Sequence, residues 1–110
     1  MCGIAGVVSP HPPTSERIEA AQKALGNRGP DAKGYGNHAV GGLNVCLIHT
    51  RLAIIDLDPR ANQPFEDDGL VLSYNGELYN YLEIKAQLEG LGHRFRTASD
   101  TEVVLRAYRQ

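Results

Sequence analysis

Tryptophan is absent and aromatic residues make up only 6% of the chain, so a core must be built from aliphatic side chains and a few rings. The only cysteines are Cys2 and Cys46, too few for a disulfide framework and without the paired C-x-x-C spacing of a zinc site. No apolar run approaches the roughly 20 residues that cross a bilayer. The first ten residues lack the basic and long apolar regions of a secretory signal, and the expectation is a cytoplasmic protein. Neither sign of charge dominates: 11 Lys and Arg face 13 Asp and Glu, interspersed, for a formal net charge of −2. No basic face for nucleic acid or an anionic membrane is therefore expected. The four histidines, His11, His38, His49 and His93, show no metal-ligand spacing, so neither a metal site nor a Cys–His dyad is indicated. Gly41-Gly42 reads as a turn, and no phosphate-binding loop or ATP motif occurs.

What is present is the balance of an ordinary globular chain. Its 110 residues are 42% hydrophobic and 22% charged, with 12 Gly and 6 Pro, which suits one domain at most with a modest core. Gly3 to Ser9 reads as a strand ended by Pro10. Thr14 or Ser15 can cap a helix with Ile18, Ala21 and Leu25 on one face and Gly26 as its stop. Lys33 to Val40 and Leu43 to His49 form a hairpin about Gly41-Gly42. Short strands are expected at Ala53 to Asp56 and Leu70 to Tyr74, with a polar loop over Leu57 to Pro64 between them. Asn80 and Glu83 fit a capping box for a helix from Tyr81 to Glu89, ended by Gly90. Arg94 to Thr97 alternates as an exposed strand. Ser99-Asp100-Thr101-Glu102 is a second capping box, opening a helix that buries Val103, Val104, Ala107 and Tyr108. That helix meets Gln110 without a stop signal, as expected of an N-terminal portion of a domain. The class is α+β with antiparallel pairing.

Several positions invite two readings. Removal of Met1 would leave Cys2 with a thiol and a free α-amine on one residue; such amines titrate at about 7.7–8.0, so the amine can act as base to its own side chain. The alternative is a small buried hydrophobe opening a strand. Asn75-Gly76 is by default a hairpin turn, yet the next segment reads as helix; an Asn amide and a Gly N–H are also two donors for an oxyanion. Arg51 offers a planar fork for a carboxylate, and Glu77 and Asp100 offer acceptors for an ammonium group, although each alone also fits a solvated surface charge. Cys46 reads as packing.

Six segments, taken in order, resemble a known family: MCGIAG from Met1, RGPD from Arg28, HTRLAIID from His49, QP at Gln63, YNGELYN from Tyr74 and GHRFRTASDTEV from Gly92. Together they resemble the class II glutamine amidotransferase domain of glutamine-hydrolysing asparagine synthetases, over nearly all of the chain. Position 27 is Asn where that family usually has His. The resemblance implies an N-terminal nucleophile hydrolase fold, a four-layer α/β/β/α sandwich with two antiparallel sheets, incomplete within residues 1–110. It implies Cys2 as the nucleophile toward the glutamine side-chain amide, with its own amine as base and then acid. Asn75 and Gly76 would form the oxyanion hole, and Arg51 would take the substrate carboxylate. Asp100 and Glu77 would hold the ammonium and amide ends, with the backbone of Leu52 and Ile55 lining the pocket. No cofactor is implied in this chain; ATP and Mg would serve a synthetase domain lying outside it, the partner that receives ammonia. The alternatives are an amidotransferase feeding another acceptor, and an inert binding or assembly module. Self-association through an incomplete sandwich is a further expectation.

Overall fold

A computed structural model describes all 110 residues. The chain runs through β1 (Gly3–Ser9), α1 (Ser15–Leu25), β2 (Ala32–Val40), β3 (Leu43–Arg51), a 3-10 turn (Pro59–Ala61), β4 (Phe65–Asp67), β5 (Leu70–Leu72), α2 (Tyr81–Gly90) and α3 (Asp100–Arg109). The α+β class with antiparallel sheets holds. β3 is the centre of a three-stranded sheet, order β1-β3-β2, and β4 pairs with β5 in a separate hairpin.

The first half follows its local chemistry closely. Thr14 caps α1 by accepting from Arg17 N, and Gly26 ends it. Gly41 and Gly42 both take positive φ, the backbone that a tight hairpin demands. Ile18 of α1 packs on Cys46 and Ile48 of β3, flanked by Ala5 and Ala21, to make a small aliphatic core. The segment Arg28-Gly29-Pro30-Asp31 then passes under the end of β3. A Cβ on Gly29 would stand 2.2 Å from Thr50 O and 2.6 Å from Arg51 N, so only glycine fits there.

The second half departs from expectation. Ala53 to Asp56 is not a strand: Ala53 N donates to Asp31 Oδ2, the carbonyls of Ile55 and Asp56 accept from Arg51, and Asp56 takes φ +51°. Side chains satisfy this backbone, so no ladder is needed. Arg94 to Thr97 is likewise no strand, because the amides of Arg96 and Thr97 both donate to the Glu102 carboxylate. The Leu70 strand stops at Leu72, and its partner Phe65–Asp67 lies between the expected Leu57 to Pro64 loop and that strand, where no element is expected from sequence. Their turn is Asp68-Gly69, both at positive φ.

The helix ends also differ in detail. Asn80 makes no side-chain cap bond, so the first capping box does not form. α2 extends to Gly90, and Gly92, at φ +97°, turns the chain as His93 N bonds back to Leu88 O. Ser99 does cap α3 but accepts from Thr101 N, while Glu102 is fully buried and spends its oxygens on Arg96, Thr97 and Arg106. The buried face of α3 is Asp100 to Val103 with Leu105. Ala107 is exposed and Tyr108 is 81% exposed, contrary to the helical stripe expected there. No helix is long and apolar enough to cross a membrane.

Candidate active site

Cys2 lies just outside the register that pairs Gly3 with Thr50, so β1 delivers it beside the end of β3. There Leu52 N donates to Cys2 Sγ at 3.3 Å, and Sγ lies 3.7 Å from Leu52 O. Arg28 Nε donates to the Cys2 carbonyl at 3.1 Å, holding the backbone of the thiol-bearing residue in place. Asp31 completes the support: its amide donates to Arg51 O at 2.9 Å, and its carboxylate takes Ala53 N. Gly3 is equally constrained, since a Cβ would fall 2.6 Å from Thr50 Oγ1.

Cys2 opens onto a cavity of about 380 Å³. Every site residue inferred from sequence lines it: Cys2, Arg51, Leu52, Ile55, Asn75, Gly76, Glu77 and Asp100. These residues come from the N-terminus, the end of β3, the loop after β5 and the first turn of α3. Their convergence is therefore a property of the fold and not of sequence proximity. Met1 also lines the cavity, next to the thiol.

Arg51 is buried and supplies the positive wall, but its guanidinium is engaged within the chain. Nη1 donates to Asn62 Oδ1 at 2.7 Å and to Asp58 O at 3.2 Å; Nη2 donates to Ile55 O at 3.1 Å and to Asp56 O. The 55–58 loop is thus wrapped on the arginine. Asp100, which lines the same cavity, accepts from Leu78 N through Oδ2 at 3.0 Å, and burial, with the Asp100 and Glu77 charges added to it, pushes the Tyr74 phenol above its usual value. A cationic fork and an anionic pair facing one space complement a zwitterion. No cluster of three His, Cys, Asp or Glu is placed to hold a metal ion.

Gly76 carries a second constraint: a Cβ there would sit 2.8 Å from the Tyr74 ring, so the ring covers the position where a side chain would project. Sequence reasoning passed over Gln63, Tyr74, Ser99 and Thr101 as lining residues, and Arg28, Asp31, His49 and Asp56 as supports. Their supporting hydrogen bonds run across 20 or more residues and leave no local spacing to read. His49 is the clearest case: fully buried on β3, it bonds Tyr74 O through Nε2, and burial, with the Arg51 charge nearby, holds its pKa below the ordinary imidazole value.

The family model of the glutamine amidotransferase domain matches residues 1–110. Among curated relatives, asparagine synthetase [glutamine-hydrolyzing] 1 of Bacillus subtilis is 39% identical over 99% of this chain and 18% of its own length. A probable asparagine synthetase [glutamine-hydrolyzing] of Schizosaccharomyces pombe is 40% identical over 100% of this chain and 20% of its own. The amidase chry2 of Gibberella zeae is 39% identical over 99% and 18%. The chain thus spans about a fifth of the length of these relatives. With the model matched from end to end and a cysteine lining the cavity, the chain belongs to the glutamine amidotransferase domain family.

Proposed function

We propose that this chain hydrolyses the side-chain amide of glutamine and supplies ammonia to an ATP-dependent synthetase domain that makes asparagine. The observation that carries this reading is the single cavity in which all eight inferred residues meet. Cys2, freed of Met1, attacks the amide carbon through Sγ, and its α-amine accepts the thiol proton. Asn75 Nδ2 and Gly76 N–H hold the oxyanion while the proton passes to the leaving nitrogen, the C–N bond breaks and ammonia departs. A γ-glutamyl thioester remains; water attacks it, and glutamate leaves with Cys2 restored. Arg51 takes the α-carboxylate, and Asp100 and Glu77 hold the ammonium and amide ends, while the backbone of Leu52 and Ile55 lines the pocket. ATP and Mg belong to the synthetase partner and take no part in these steps. The four-layer sandwich, with further strands joining these two sheets, is part of the same proposal, as are cytoplasmic location and self-association of the isolated portion.

Intact mass before and after incubation with 6-diazo-5-oxo-norleucine tests the reading. Loss of Met1 and one adduct on Cys2 are expected, with none in Cys2→Ala, which also loses glutamine hydrolysis. A wild-type chain that takes no adduct, or a Cys2→Ala variant that still hydrolyses glutamine, refutes it. A second reading, in which the ammonia serves a different acceptor, stays beside the first because one of the relatives is named an amidase and not an asparagine synthetase. Assay of asparagine formation by the full-length protein separates the two.

A further inference from the structure

Asn75 and Gly76 lie beyond the last paired residue of β5, yet the segment carrying them is pinned at both ends. Tyr74 O accepts from His49 Nε2 at 3.2 Å, and Tyr74 N donates to Gln63 Oε1. Gln63 Nε2 donates onward to Thr101 Oγ1 at 3.1 Å, in the first turn of α3. Downstream, Leu78 N donates to Asp100 Oδ2. His49, Gln63, Thr101 and Asp100 are all buried, so water cannot readily replace what they supply. Gln63 is itself braced by β2, which passes so near that a Cβ on Gly34 would stand 2.3 Å from Gln63 O.

The chemistry of the pair is specific. A carbonyl only accepts, so His49 carries its proton on Nε2 and leaves Nδ1 bare. That nitrogen is buried with no partner. An apolar side chain would fill the same space without an orphaned acceptor, so filling space does not account for an imidazole here. Its distinguishing service is the bond to Tyr74.

We infer that His49 and Gln63 are positioning residues: they fix the two peptide planes flanking Tyr74 and so aim the Asn75 amide and Gly76 N–H into the cavity. The inference rests on the thioester reading above. Glutamine hydrolysis and diazo-oxo-norleucine labelling of the wild-type chain, His49→Leu, His49→Gln and Gln63→Met test it. Because loosened donors forfeit part of what their removal would, kcat should fall about 10- to 100-fold in His49→Leu and Gln63→Met, with KM within about 3-fold. Cys2 should still label. His49→Gln, which restores a donor at the Nε2 position, should recover kcat to within about 3-fold of wild type. A raised KM with unchanged kcat overturns the inference, as does a His49→Gln variant no better than His49→Leu. Amide exchange gives an answer that needs no turnover: Tyr74 N–H should exchange about ten times faster in Gln63→Met, and unchanged exchange there overturns the grip. Should the wild-type chain neither label nor turn over, the thioester reading fails, and exchange alone decides whether the grip exists.

Discussion

Burial, and then the nearby Arg51 charge, disfavours a second proton on His49, which would sit at the buried Nδ1. The pH dependence follows from that. The unfolded chain binds a proton as pH falls below the ordinary imidazole value of 6.5, while the folded chain resists until its own lower value is reached. The contribution is fully present above pH 6.5 and is lost progressively below it, by at most about 1.4 kcal/mol per pH unit. Melting at pH 7.5 and 5.0 should show a smaller difference for His49→Gln than for wild type; equal differences would assign the effect elsewhere. Glu102 makes the opposite case, a buried carboxylate with every bond returned. Arg96 N, Thr97 N, Thr97 Oγ1 and Arg106 all donate to it, and Arg106 also reaches Asp67 at 2.9 Å. Glu102→Leu orphans three donors and leaves Arg106 with Asp67 as its one remaining carboxylate, and denaturant unfolding should register a loss of about 3 kcal/mol or more.

The elements legible in the sequence are those whose signals are local. β1, α1 and the β2-β3 hairpin were readable because alternation, a capping threonine and a glycine pair act within a few residues. Asp68-Gly69 carried the same hairpin signal, and reading it would have supplied β4. The expected strands at Ala53 and Arg94 failed for one shared reason: side-chain carboxylates and a guanidinium, between 4 and 22 residues away in sequence, claimed their backbone groups. The site was more legible than the second half of the fold, since its eight residues were chosen by reactivity and by family resemblance, and all eight line the cavity. Their supports were not legible, because Asp31, His49 and Gln63 act across long sequence separations. At this scale Gly29→Ala is the sharpest test. The obstacle is the backbone of Thr50 and Arg51, which cannot swing aside, so the end of β3 must shift. The variant should melt well below wild type and lose Cys2 labelling together with it.

As a whole the molecule is a slab, 44 × 33 × 18 Å, with a radius of gyration of 14.6 Å against about 13 Å for a compact chain of this length. α1 lies on the three-stranded sheet; α2 packs on α3, and α3 touches β5. Around the cavity, side-chain bonds join the two halves through His49 to Tyr74 and Arg51 to the 55–62 segment, and that segment is tied in turn to the α3 region by Gln63 to Thr101 and by Asp56 Oδ2, which accepts from Ala98 N. Asp56→Ala should therefore loosen α3 more than β1 or β3, visible as faster exchange confined to the C-terminal half.

Arg51 gives the cavity a character of its own. Its guanidinium already holds oxygens from Ile55, Asp56, Asp58 and Asn62, so the chain acts as a tethered competitor for its own cation. Under the proposed function, a carboxylate binding Arg51 would displace part of that set, and its apparent affinity would report the difference between two sets of bonds. Weakening the competitor with Asn62→Ala should tighten glutamine binding in calorimetry, provided the loop keeps its other bonds, whereas an unchanged or weaker affinity would mean that the arginine does not exchange partners. Selection for firm substrate binding and for a firmly seated 55–58 loop then pull on the same side chain in opposite directions.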